Sequence, residues 1–367
     1  MTGMTLSLYL AGNFLRYTLG IFILFLSLIV AVDIVEFSRN VSSLDGIGFA
    51  EVLFVVLLRA PAFAENVLPF CIMFGASATL IILNRRLELV VARASGVSVW
   101  QFLMPIVLAA AIVGGLASAL YNPLALSARI LSSAEEARIL EKGKKRSSTT
   151  YGTWMRLNQK DGDVIIRAQI EQNAGLRLTN VTAYRFDKAG EMIQRIDATG
   201  AKFIEVDGRS NHYLLTDLIS TRPGLASEQS DSMVLPVEIT KSQLQADRRT
   251  TSNVGFWDLI EQAERVQLAG KNPLPFLTKY HALLAVPLLF VAMVLLASTV
   301  SLRFARFGIN GKAILAGILA GFVLYVLSKL LITFGSNGLV PPFVAAWSAA
   351  IVASLVGITV LLHQEDG

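Results

Sequence analysis

Arg85-Arg86-Leu87-Glu88-Leu89-Val90-Val91-Ala92-Arg93-Ala94-Ser95-Gly96-Val97-Ser98 separates two long apolar stretches and reads as a short basic helix with its own stop and start signals. Leu87, Val90, Val91 and Ala94 fall at i, i+3, i+4 and i+7 and make one apolar stripe, with Arg85, Arg86, Glu88 and Arg93 off it. Gly96 is placed as the C-cap, where a positive φ costs glycine little. Ser98 opens the next helix, and Gln101 completes a capping box ahead of a further apolar run. A separately capped amphipathic helix on the basic side of a bundle suits a surface that receives force from a soluble motor. A connector lying flat in the headgroup region has the same pattern, and both readings stand at this point.

Working outward, the class follows from composition. Hydrophobic residues make up 54% of the 367 and charged residues 16%, and mean hydropathy is +0.58. This is an integral membrane protein rather than a globular enzyme with a large core. A spanning helix needs roughly 20 mostly apolar residues. Stretches at about 14–37, 52–83, 99–126, 278–302, 313–334 and 342–362 qualify, the second interrupted by Arg59, Pro61 and Glu65. The apolar run after Arg16 is long and ends without a small-residue cleavage site, so no cleavable signal peptide is expected. The single cysteine, Cys71, lies within a span and excludes a disulfide framework.

Loop charges set the orientation. Arg85, Arg86 and Arg93 follow the second span, and Arg303, Arg306 and Lys312 follow the fourth; the first connection has Arg39, and the last, at 335–341, has no charge. Positive-inside bias therefore places both termini in the cytoplasm and the segment between spans three and four outside. The cluster Lys142, Lys144, Lys145, Arg146 lies in that long segment, where charge carries little topological weight.

The chain divides as three spans (1–130, with the short helix at 85–97), an insertion (131–272) and three spans (273–367). In the insertion, 151–157, 164–170, 176–186, 192–206 and 212–220 read as strands, rich in β-branched and aromatic residues. Turn signals separate them at Asp161-Gly162, Asp187 to Gly190 and Asp207-Gly208. Short, evenly spaced strands predict an all-β sandwich or jelly roll outside the membrane. Residues 254–268 read as a helix ending at Gly270, with Pro273 and Pro275 leading into the fourth span. The fold class expected is thus a helical membrane protein of six spans with an inserted all-β, jelly-roll-like domain outside the membrane.

No catalytic constellation is evident. His212, His281 and His363 lack a second ligand at metal spacing. Gly311-Lys312-Ala313 lacks the upstream glycine and the following Ser/Thr of a phosphate loop. No metal, cofactor or nucleic-acid partner is expected, and any ATP used is bound by another chain.

Several motifs together resemble the LptF/LptG permeases of the lipopolysaccharide export ABC transporter, along essentially the whole chain. Glu88-Leu89-Val90-Val91 with Ala94-Ser95-Gly96 resembles the family's coupling helix, and 321–327 its fifth span. Pro341-Pro342, and Trp154-Met155-Arg156 before Asp161-Gly162, resemble the LptG type. The resemblance implies a non-catalytic permease subunit in the Gram-negative inner membrane. Its implied partners are a dimeric cytoplasmic ABC ATPase, a paralogous LptF-type permease, a single-span periplasmic bridge protein of similar β-fold, and lipopolysaccharide. It implies ATPase coupling through Arg86, Glu88, Leu89, Ala92, Arg93 and Gly96. One position departs from the pattern: a lysine often found near the outer end of the first span, implicated in lipid recognition, aligns with Asp33.

Physical chemistry is consistent with that expectation. At about 0.8 kcal/mol per CH₂, exposing the acyl chains of a lipopolysaccharide to water costs tens of kcal/mol. Extraction needs an apolar cavity and an energy source, and Phe322 and Tyr325 on the fifth span are candidates to line the cavity. Lys329 lies 17 residues past Lys312, about 25 Å along a helix at 1.5 Å per residue, near the level of the lipid phosphates. With Arg39 it is a candidate phosphate contact; snorkelling, or an ion pair from Lys329 to Asp33 or Glu36, is the alternative. Two other classes remain open: an envelope scaffold, and a stalk-type ABC subunit that transmits force without moving lipid.

Overall fold

The computed structural model describes residues 2–42, 47–144, 153–159, 162–170, 177–187, 191–206, 210–223, 227–237, 251–268, 270–307 and 311–366. The chain forms two compact units, Met1–Gly143 with Asn253–Gly367, and Lys144–Ser252. These limits lie inside the 131–272 boundaries read from composition. Residues 122–144 continue the third span as helix, because Ala, Leu, Glu and Arg dominate there and no Pro follows Pro123. The segment from Asn253 onward belongs to the helical unit.

The helical unit comprises α1 (Thr2–Val41), α2 (Phe49–Arg85), α3 (Glu88–Ala94), α4 (Val99–Leu116), a π turn (Ala117–Tyr121) and α5 (Asn122–Lys144), followed later by α6 (Leu259–Leu268), α7 (Leu274–Phe307), α8 (Gly311–Ser336) and α9 (Pro342–Asp366). Six helices among the described residues are long and apolar enough to cross a membrane, with α4, the π turn and the first part of α5 forming one of them. The expected membrane class is therefore met. In α7 and α2, half of the most apolar window is buried, against 11% in α1 and 17% in α8. Helix α7 packs on α2, α4, α8 and α9 and is the centre of the bundle. Its Phe290, Met293 and Leu295 join Phe14, Ile72, Phe102 and Leu324 in the main core.

Close approach of α4 to α7 depends on Gly114, where a methyl group would stand 2.6 Å from the Pro287 Cα, whereas one at Gly115 would meet nothing within 4 Å. Backbone cannot yield as a side-chain tip can, so overpacking here costs about 1–3 kcal/mol. Gly114→Ala is expected to lower the thermal unfolding midpoint in detergent and Gly115→Ala to leave it unchanged. Equal midpoints for the two variants would contradict this packing.

In the second unit, β1 (Thr153–Gln159), β2 (Gly162–Ile170), β3 (Arg177–Phe186), β4 (Met192–Val206), β5 (Ser210–Thr221) and β6 (Glu228–Val237) form one antiparallel sheet in sequence order. This is the inserted all-β domain expected. The sixth strand lies beyond the five read from sequence, because Glu228-Gln229-Ser230-Asp231-Ser232 is polar and Pro236 interrupts its end.

Three neighbouring strands change the phase of their alternation at one level. On β3 the buried residues run Leu178 then Val181, on β4 Ala198 then Ala201, and on β5 Leu215 then Leu218, each a step of three in place of two. Asn180 and Asp217 take positive φ at that level, 50° each. Thr179, Gly200 and Thr216 pair on one side of it, and Val181, Ala198 and Leu218 on the other. Because all three strands change phase at the same level, their pairing register is kept and one face stays apolar, where a change in a single strand would turn its side chains outward. Tyr213 packs edge-on to Phe203 at 5.4 Å on that face, and burial pushes its phenol up to about 12, so it is neutral at physiological pH.

Candidate docking helix and intramembrane charges

Helix α3 is set apart from α2 by backbone geometry. Helix α2 runs through Arg85, the Leu87 N–H donates to the Asn84 carbonyl at 2.9 Å, and Leu87 takes the left-handed conformation at φ 63°. For a branched-chain residue this costs roughly 1–2 kcal/mol. The sequence suggested one helix from Arg85; the structure instead has a break at Arg86-Leu87 and a seven-residue helix from Glu88.

The end of α3 is closed as expected. Gly96 has φ +89°, its N–H donates to the Arg93 carbonyl at 3.0 Å, and the Val97 N–H donates to the Ala92 carbonyl at 3.1 Å. That is the paired bonding of a Schellman cap. The Ser98 hydroxyl then accepts from the Gln101 N–H at 3.3 Å while the Gln101 side chain accepts from the Ser98 N–H at 3.1 Å, the full capping box.

Which face of α3 turns inward differs from the periodicity reading. Leu89 is its buried residue and joins Leu10, Leu83, Val99 and Phe102 in the bundle core. The stripe points outward instead: Leu87 is 61% exposed and Val91 65%, with Val90 and Ala94 exposed beside them. The left-handed residue re-aims the chain leaving α2, so a stripe counted as continuous with that helix is rotated off the core. An uncovered apolar face flanked by charge is what a docking surface needs.

Of the sequence-predicted coupling residues, Arg86, Arg93 and Gly96 are exposed, Glu88 and Ala92 are half-buried, and Leu89 is buried. Glu88 is tied back to its own chain. Its Oε2 accepts from the Tyr9 hydroxyl of α1 at 3.0 Å, and Oε1 lies 4.0 Å from Arg86 Nη1.

Two groups of charged residues inside the spans bear on the lipid-contact candidates. Asp33 of α1, almost fully buried, lies 3.5 Å from the Arg59 guanidinium of α2. That guanidinium sits over the rings of Phe37 and Phe63, 5.6 and 5.7 Å from their centroids. Lys329 of α8 donates to Asn66 Oδ1 at 3.4 Å and lies 5.3 Å from the centroid of the Tyr325 ring, which in turn leans on Phe70 at 4.9 Å. The alternative of a Lys329 pair with Asp33 is thus replaced by Arg59 as the partner of Asp33. Phe322 is exposed on α8 and Arg39 is exposed in the last turn of α1.

Sequence reasoning noted Arg59 and Glu65 as interruptions of a span and missed their roles. Glu65 accepts from Asn122 Nδ2 at 2.8 Å, beside a Tyr121 hydroxyl that donates to the Pro61 carbonyl at 2.9 Å. Both donors are aimed by the π turn, which also places the Ser118 hydroxyl 2.6 Å from the Leu283 carbonyl of α7. A π turn adds one residue to a helical turn and leaves carbonyls for partners on other elements.

Six spans in two sets of three, with an all-β insertion between them and a capped surface helix after the second, define a polytopic membrane protein. The family description "Lipopolysaccharide export system permease LptF/LptG" matches residues 8–363. The chain belongs to that family, and is a multi-pass inner-membrane permease of lipopolysaccharide export. A search among curated proteins finds no significant match.

Proposed function

We propose that this chain is the LptG-type permease of an ATP-driven exporter that extracts lipopolysaccharide from the inner membrane and passes it to a periplasmic bridge protein. The observation that carries the reading is α3: a rigidly capped helix presenting Leu87, Val90 and Val91 outward beside Glu88 and Arg93. An ATPase dimer docks on that face, with Arg86, Leu89, Ala92 and Gly96 fixing the helix. A paralogous LptF-type permease completes the membrane unit. The basic loops support a cytoplasmic α3 and cytoplasmic termini, with the β-domain in the periplasm. The low burial of α1 and α8 supports their lining a lipid path shared with the second permease. An envelope scaffold or force-transmitting stalk has no need of such open intramembrane faces.

Lipid recognition is assigned to Phe322 and Tyr325 for the acyl chains and to Lys329 with Arg39 for the phosphates. Lys329 is held by one long hydrogen bond and a ring face, so an anionic headgroup meets a cation that, among the described residues, has no direct ion pair. Purified with its ATPase and second permease in proteoliposomes, the complex is expected to release lipopolysaccharide to the bridge protein only when ATP is hydrolysed. ATP-independent release, or none from an assembled complex, removes the reading. Lys329→Gln is expected to weaken lipopolysaccharide binding by about tenfold to a hundredfold, one charge-assisted contact being worth about 1.5–3 kcal/mol, with unchanged thermal stability. Lost stability with normal binding makes the lysine structural.

A further inference from the structure

We infer that Trp257 and Ile260 form a lipid-contacting anchor at the bilayer interface on the side opposite α3. Residues Phe256–Asp258 make a single 3₁₀ turn that leads into α6. Phe256 is buried and stacks on Tyr280 of α7, with ring centroids 5.6 Å apart. Trp257 is turned the other way and is 68% exposed, and Ile260, three residues on, is 43% exposed. The indole N–H donates to the Ala119 carbonyl in the π turn at 3.0 Å, so the ring's polar edge is satisfied and its apolar body is left outward.

Depth identifies what that body meets. Ala119 lies 20 residues beyond Val99, where α4 begins beside the basic α3. At 1.5 Å per residue that is about 30 Å, the thickness of a bilayer's hydrocarbon core. An exposed indole at this level sits where tryptophan is favoured in membrane proteins, with its ring among headgroups and upper acyl chains. The surface is also continuous with the apolar side of the third span, on which Leu116, Leu120 and Leu124 are 50%, 59% and 67% exposed. Helix α6 has the matching amphipathicity. Leu259, Ala263 and Val266 are buried in a cluster with Phe276 and Leu283 of α7, while Glu261, Glu264 and Arg265 are exposed. Charge on the outer side, core contacts on the inner side and Trp257 with Ile260 along one flank are the pattern of a helix lying in the interface plane. The occupant is bilayer phospholipid, and the inference holds whether or not the chain transports lipid.

The test uses the full-length chain with Trp100, Trp154 and Trp347 replaced by Phe, leaving Trp257 as the one remaining tryptophan of four. It is reconstituted in phosphatidylethanolamine–phosphatidylglycerol vesicles carrying lipid brominated either close to the ester or near the methyl end. Strong quenching by the shallow bromines, weaker quenching by the deep ones and little by aqueous iodide is expected. Quenching by iodide alone places the ring in water, and quenching by neither means that protein covers it; either result overturns the anchor. Should the triple variant not fold, Cys71→Ser with a nitroxide at Ile260→Cys gives a second reading. Oxygen accessibility exceeding that to a water-soluble nickel chelate supports lipid contact, and the reverse order refutes it.

Discussion

Replacing Arg59 with alanine is expected to destabilise the membrane unit by about 3 kcal/mol or more, since removing one partner leaves the other charge buried and unpaired. Asp33 is almost fully buried, and Arg59 lies 3.5 Å away as its ion-pair partner. The second carboxylate oxygen, Oδ2, has no hydrogen-bond partner, so the guanidinium is the main compensation for this charge. Loss of Arg59 also removes packing against Phe37 and Phe63. The pair itself is worth far less than its disruption, because both charges were withdrawn from water to form it. The double variant Asp33→Leu with Arg59→Leu is therefore expected to recover most of the stability that Arg59→Ala loses. Thermal unfolding in detergent, followed by monodispersity on gel filtration, distinguishes the cases. An Arg59→Ala protein as stable as the parent means that Asp33 is stabilised by something other than this pair.

The pairing illustrates how far the sequence can be read. Asp33 was visible as a carboxylate in the first span, and Arg59 as a charge inside the second. Their meeting depends on the relative rotation and height of α1 and α2, which no periodicity within either helix specifies. The C-terminal end of α3 and the start of α4 were legible because caps are local: Gly96, Ser98 and Gln101 act through backbone groups a few residues away. Its buried face was not legible, because one left-handed leucine changes the direction of the chain and leucine carries no signal for that conformation. The same holds for the π turn at Ala117–Tyr121, an ordinary apolar stretch by composition whose extra residue serves contacts with α2 and α7. Strand alternation gave the all-β insertion, and the change of phase at Asn180 and Asp217 was hidden because it breaks the alternation that identifies strands.

Glu88→Lys is expected to abolish ATP-coupled lipopolysaccharide release while leaving the membrane fold intact. The side chain contributes to neither the Schellman cap nor the capping box, and Leu89 still anchors the helix in the core. The substitution does place a third positive charge between Arg86 and Arg93, so a docking face with a carboxylate beside its apolar stripe becomes uniformly basic. Like-charge juxtaposition at an interface costs several kcal/mol, enough for a loss of a hundredfold or more. Because Glu88 also accepts from Tyr9, the variant alone does not separate a contact with the ATPase from a bond to α1. Tyr9→Phe does so, since it removes one neutral-to-charged hydrogen bond, worth about 1.5–3 kcal/mol, and leaves the carboxylate free for a partner. Retained coupling in Tyr9→Phe alongside lost coupling in Glu88→Lys is the expected outcome, with ATPase activity and lipid release measured on the same proteoliposomes. If Tyr9→Phe is as uncoupled as Glu88→Lys, the carboxylate acts by tying α1 to α3. Normal release by Glu88→Lys at normal expression takes Glu88 out of the mechanism altogether.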